Sequence, residues 1–101
     1  MNHCENKLPA LVIEELTAAN LVNPPFHSAH EGYAVLLEEK EEAEEALEEI
    51  NVCLQMLWKH VKVDSPKAND YAKRIEKHAI HLAAEAIQVA AMAMKYQKME
   101  D

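Results

Sequence analysis

Glutamate crowds one stretch of this chain: eight of the twelve residues from Glu38 to Glu49 are glutamates. Glu41, Glu45 and Glu48 share a polar stripe at helical spacing and read as a solvated face. Glu39 and Glu42 are placed differently. Stepping by threes and fours gives Val35, Glu39, Glu42, Ala46, Glu49 and Cys53, a stripe that is partly apolar. Two carboxylates one turn apart at the edge of a core repel each other, unless a cation sits between them or one is protonated.

A second stripe matches it. His78, His81, Glu85, Gln88, Met92 and Lys95 recur at the same steps, and Glu85 and Gln88 interrupt the most apolar part of the chain, Leu82 to Met94. A charge there is costly unless it is paired or binds metal. If the two stripes face each other, Glu39, Glu42, Glu85 and Gln88 converge into an oxygen-rich cage. Oxygen donors without cysteine favour Mg²⁺ or Mn²⁺ over zinc. The same residues also suit a buried polar network, with His81 or Lys95 as ionic partners. Lys95, in line with Glu85 and Gln88, reads as a phosphate contact or as a charge at a helix C-terminus.

Three helices must carry these stripes. The first is expected over roughly Leu8 to Asn20, with Leu8, Leu11, Val12, Leu16 and Ala19 on one face, and Asn23-Pro24-Pro25 stops it. The second is expected from about Ala29 to Val61. Ser28 and Glu31 form a capping box at its start, and its main apolar stripe is Leu36, Ala43, Leu47, Ile50, Leu54, Leu57 and Val61. The third is expected from about Pro66 to Gln97, with Ser65 as N-cap and a stripe of Ala68, Ala72, Ile75, Ala79, Leu82, Ala86, Val89, Ala93 and Tyr96. Each long helix spans roughly 45 Å at 1.5 Å per residue, and the short break between them predicts an antiparallel hairpin. From Ala79 onward the third helix is apolar almost all round. That predicts burial on several sides, beyond what a monomer this small provides, and so a homodimer or homotetramer.

Composition narrows the field. The chain has 101 residues, 10 Lys+Arg against 18 Asp+Glu, one Gly and four Pro. That suits a single all-α domain over residues 1–101, with residues 1–7 expected to be flexible, and excludes a turn-rich β fold. The excess of acid speaks against a binder of the nucleic-acid backbone. The apolar stretch is too short for a membrane span. Cys4 and Cys53 lie far apart in no metal-binding spacing, and the N-terminus lacks the basic start and apolar core of a secretory signal, so a cytoplasmic setting is expected. No HExxH and no ExxH sequence is present, which excludes a zinc protease and leaves a ferritin-like di-iron site unsupported. His27 and His30 flank the capping box and read as local turn residues. Trp58, beside Leu54 and Leu57, reads as core, and the five methionines as packing.

Glu38-Glu39 followed by Glu42, together with Glu85-x-x-Gln88, resembles the paired signature E-E-x-x-E and E-x-x-D of the MazG-like all-α nucleoside triphosphate pyrophosphohydrolases. The segments PPFHSAHEGYAVLLEE and EAIQVAAMAMKY resemble a small branch of that superfamily often found in phages and prophages, and the resemblance covers Pro24 to Tyr96. It implies a helical bundle built by oligomerisation and hydrolysis of (deoxy)nucleoside triphosphates to monophosphate and pyrophosphate. It also implies Mg²⁺ on Glu39, Glu42 and Glu85, with Gln88 at the aspartate position; Glu38 lies off the Glu39/Glu42 stripe and is expected only as a catalytic base or a supporting residue. Gln88 stands where the family has aspartate: its carbonyl oxygen can coordinate, but one negative charge is lost and Mg²⁺ binding is weakened. The 42 residues from Ala43 to Ala84 separate the two motifs by more than is usual in the superfamily. The same residues are compatible with a non-catalytic nucleotide- or metal-binding protein, or with a structural adaptor bundle.

Overall fold

The computed structural model describes residues 3–99. A 3-10 turn, Glu5–Lys7, leads into α1 (Leu8–Val22), followed by α2 (Ala29–Lys62) and α3 (Ala68–Gln97). Among the described residues there is no strand, and no helix is long and apolar enough to cross a membrane. The flexibility expected for residues 1–7 falls in part on residues 1 and 2, which lie outside the described residues.

The helix ends follow from local chemistry. Pro9 stands in the first turn of α1, and Asn23 leaves the helix in an extended conformation, φ −127° and ψ 139°, as a residue before proline prefers. At the start of α2 the Ser28 hydroxyl accepts the Glu31 N–H at 3.1 Å, one half of the expected capping box. The Glu31 carboxylate reaches one residue further upstream than that motif requires and accepts the His27 N–H at 2.8 Å. At the other end of α2, Asp64 has φ 52°, the Ser65 N–H donates to the His60 carbonyl at 2.9 Å, and the Asp64 N–H donates to that of Val61 at 3.1 Å. This is a Schellman stop, with aspartate in the left-handed position that glycine usually fills. The Ser65 hydroxyl then accepts the Lys67 N–H at 3.2 Å, and α3 begins at Ala68, two residues after the expected start at Pro66.

The chain divides into two compact units. One comprises Met1–Lys40 and Glu85–Asp101. Its core is Val12 and Leu16 of α1 with Ala91 and Met92 of α3, and Phe26, Val35, Leu36 and Ile87 pack against it. Gly32 is buried here because nothing larger fits: a Cβ on it would stand 2.5 Å from Cδ2 of Tyr96. The other unit, Glu41–Ala84, is a helical hairpin built from the rest of α2 and α3. Its buried residues are Ala46 and Cys53, and His60 stacks on Tyr71 with ring centroids 5.3 Å apart.

Three expectations about burial are corrected. In α2 the stripe that contains Glu39 and Glu42 supplies the buried Ala46 and Cys53, whereas Leu47, Leu54 and Val61 of the main apolar stripe stay exposed. The hairpin is only two helices thick, so α2 can turn just one sector toward its neighbour. Trp58 is not core: it is 59% exposed, with the Lys62 ammonium 5.7 Å from its ring centroid. The same reversal occurs in α3, where the buried residues are Ala91, Met92 and Lys95 and no member of the expected alanine-rich stripe is fully buried.

Candidate metal centre

Glu39 and Glu42 stand one turn apart on the unbroken α2, and Glu85 projects from α3. One carboxylate oxygen from each lies within 4.8 Å of the other two. Glu39 and Glu85 are half-buried, and Oε2 of Glu85 is shielded from solvent. The donor set is hard oxygen alone, which suits Mg²⁺ or Mn²⁺. Bonds of about 2.1 Å to an octahedral ion set neighbouring oxygens roughly 3 to 4 Å apart, so the three carboxylates need little movement to share one ion. Glu38 is exposed on α2 and is not one of the three.

Gln88 lies one turn beyond Glu85 and is half-buried. Its Nε2 donates to Oε1 of Glu15 in α1 at 2.9 Å. A carboxylate can only accept, so this bond fixes which end of the amide is nitrogen and leaves the carbonyl oxygen as the end a cation would use. Glu15 was not among the residues expected from the sequence. The signal was present: Glu15 is three residues after Val12 and four before Ala19, so it sits on the buried side of α1 rather than on its solvated face.

Lys95 is 8% exposed, and its ammonium lies 4.7 Å from the centroid of the Phe26 ring. A pocket of about 360 Å³ opens beside it, lined by Phe26, Glu31, Glu39, Gln88, Met92 and Lys95 among others. The lining therefore combines acidic, cationic and apolar side chains. Glu31, at the rim, is held below the ordinary carboxylate range, chiefly by the His27 N–H, then by the His27 side chain, with a smaller contribution from Lys95. The pocket thus brings carboxylates, a buried ammonium and an aromatic ring together, with the ammonium set over the ring. His27 serves the turn before α2, as expected; its Nδ1 is 3.3 Å from Oε2 of Glu31.

No family model, curated protein or solved structure matches this chain.

Proposed function

We propose that this chain is a MazG-like, Mg²⁺-dependent pyrophosphohydrolase of nucleoside triphosphates, working in the cytoplasm as a homo-oligomer without nucleic-acid or membrane partners. The observation that supports it is the approach of Glu39, Glu42 and Glu85 to within 4.8 Å of one another. Beside them, Glu39, Gln88 and Lys95 line a single pocket. The resemblance of the E-E-x-x-E and E-x-x-Q segments to the paired signature points the same way.

In this reading Glu39, Glu42 and Glu85 hold the cation, with the Gln88 carbonyl as a fourth oxygen. Mg²⁺ bound there supplies positive charge to the triphosphate and lowers the pKa of bound water. The protein's own groups do the rest. The Lys95 ammonium offsets phosphate charge from inside the pocket, where low dielectric strengthens it. Phe26 and Met92 exclude water from one side, and a carboxylate of the cluster accepts the proton of the attacking water. Glu38 is exposed, which suits a supporting role more than contact with substrate.

The test is to incubate the protein with a panel of nucleoside triphosphates and Mg²⁺ and measure pyrophosphate and monophosphate. Turnover is expected, and Glu85→Gln should abolish it with helicity unchanged. In thermal melts Mg²⁺ or Mn²⁺ should raise the midpoint, because a ligand of the folded state stabilises by mass action, and Glu85→Gln should remove that response. A metal response without turnover identifies a binding protein of the same fold. No response in the wild type overturns the metal centre.

A further inference from the structure

We propose that Glu15 of α1 is a positioning residue for the metal centre: it holds the Gln88 amide so that its carbonyl oxygen serves as the fourth oxygen of the site. This rests on the metal centre proposed above and extends it to a helix that carries none of its ligands. Nε2 of Gln88 donates to Oε1 of Glu15 at 2.9 Å, a partly buried contact between residues 73 apart in the chain. Among the described residues Glu15 forms no ion pair, and this amide is its partner. A half-buried carboxylate is costly without a partner, and here the partner is a neutral side chain. Packing fixes the contact. Val12 and Leu16 of α1 share one core with Ala91 and Met92 of α3, so the backbones under Glu15 and Gln88 are held by the same buried residues. Glu15, Glu39, Glu85 and Gln88 all belong to the unit with three layers.

The bond acts on Gln88 in two ways. The first is direction. The amide nitrogen and oxygen branch from one planar carbon, so fixing the nitrogen toward α1 fixes the oxygen as well. Gln88 lines the pocket together with Glu39 and stands one turn from Glu85, and the oxygen is the branch left for that side. A glutamine without this contact must lose rotamer freedom when it takes up a cation; one already held has less to lose. The second is basicity. A hydrogen bond from the amide N–H to a carboxylate draws electron density onto the carbonyl oxygen, and partners of this kind raise the donor strength of a ligand. A neutral oxygen thereby becomes a better ligand for a hard dication. That offsets part of the negative charge which an aspartate at this position would bring.

The experiment titrates the full chain with Mn²⁺ and Mg²⁺ by isothermal calorimetry, beside thermal melts in EDTA. Glu85→Gln sets the baseline of binding outside the site. Glu15→Leu removes the acceptor and should weaken Mn²⁺ binding about 10- to 100-fold with helicity unchanged, as when a group that orients a metal ligand is lost. Glu15→Gln still offers an acceptor, through a neutral oxygen, and should give a smaller loss. In Glu15→Gln/Gln88→Glu the amide stands on α1 and the carboxylate on α3. The hydrogen bond returns, and binding should be at least as tight as in the wild type. A contact that only joins the two helices would lower the EDTA midpoint of Glu15→Leu and leave its Mn²⁺ affinity unchanged, and that result overturns the proposal. If Glu15→Leu loses helicity, Glu15→Gln decides against the double variant, and equal affinities overturn the proposal. A wild type that binds neither ion above the baseline removes the metal centre itself, whereas wild-type binding that survives Glu15→Leu removes the role of Glu15 alone.

Discussion

The two units differ in what covers their helices. In the unit formed by Met1–Lys40 and Glu85–Asp101, α1 supplies a third layer, and Val12, Leu16, Ala91 and Met92 form a shared core. In Glu41–Ala84 no third helix is present, and burial is confined to Ala46 and Cys53. A pair of helices can bury one sector of each, which small residues fill, while the larger residues beside that sector stay wet. The first unit completes its own core within one chain; the second keeps Leu47, Leu54, Trp58 and Val61 outside. The buried lysine and the pocket beside it belong to the unit with three layers, where packing is firm enough to hold such groups in place.

The sharpest way to break this contrast is to place the same kind of insult in each unit. Ala91 is fully buried, so Ala91→Glu should cost about 3 to 5 kcal/mol and abolish cooperative melting. Val63, 70% exposed in the hairpin unit, should accept Val63→Lys within about 0.5 kcal/mol. Thermal or denaturant unfolding followed by circular dichroism compares them, and equal losses would erase the distinction between the units.

A smaller effect is expected at the polar contact between α1 and α3. Gln88→Asp replaces a donor to Glu15 by an acceptor, so in EDTA the variant should be less stable than wild type by about 1 to 3 kcal/mol. With the fourth carboxylate present, millimolar Mg²⁺ should narrow or reverse that gap. A gap that Mg²⁺ leaves untouched would detach Gln88 from the metal centre.

The smallest effect concerns acid. Glu31 is held below the ordinary carboxylate range by the His27 N–H and side chain, so its folded value lies below its unfolded one. Its contribution is therefore present above the ordinary carboxylate range and is lost as pH falls through the lowered value. Glu31→Gln should flatten this part of the acid limb of a stability-against-pH curve while leaving stability well below the lowered value nearly unchanged. An acid limb of unaltered slope would show that the His27 contact does not bias Glu31.

Much of the architecture was legible in the chain. The Ser28 cap, the Pro24-Pro25 stop and the break at Val63–Pro66 fix three helices to within about two residues of their observed ends. The approach of Glu39, Glu42 and Glu85 to one another was legible as well, because acids that interrupt an apolar period are costly unless they share a polar neighbourhood. The inward face of each long helix was not. Periodicity finds the most apolar stripe, but in a two-helix layer close approach selects small residues, and Ala46 and Cys53 win over Leu47 and Leu54. Glu15 escaped notice for a related reason: a glutamate on a short helix reads as solvated until the helix is seen to lie against Gln88. Lys95 was placed on the right stripe, but its depth depends on Phe26, which lies far from it in sequence.

The fit of Tyr96 against Gly32 has a practical consequence for where the chain can be cut or extended. Because the ring of Tyr96 occupies the space a side chain on Gly32 would need, the last turn of α3 is a plug for the start of α2. Trimming the C-terminus back to Gln97 spares that plug, whereas removing Tyr96 as well opens a hollow beside Phe26 and Gly32. An affinity tag or fluorescent fusion therefore belongs beyond Gln97, and a truncation series should show an abrupt loss of soluble protein at the step that deletes Tyr96.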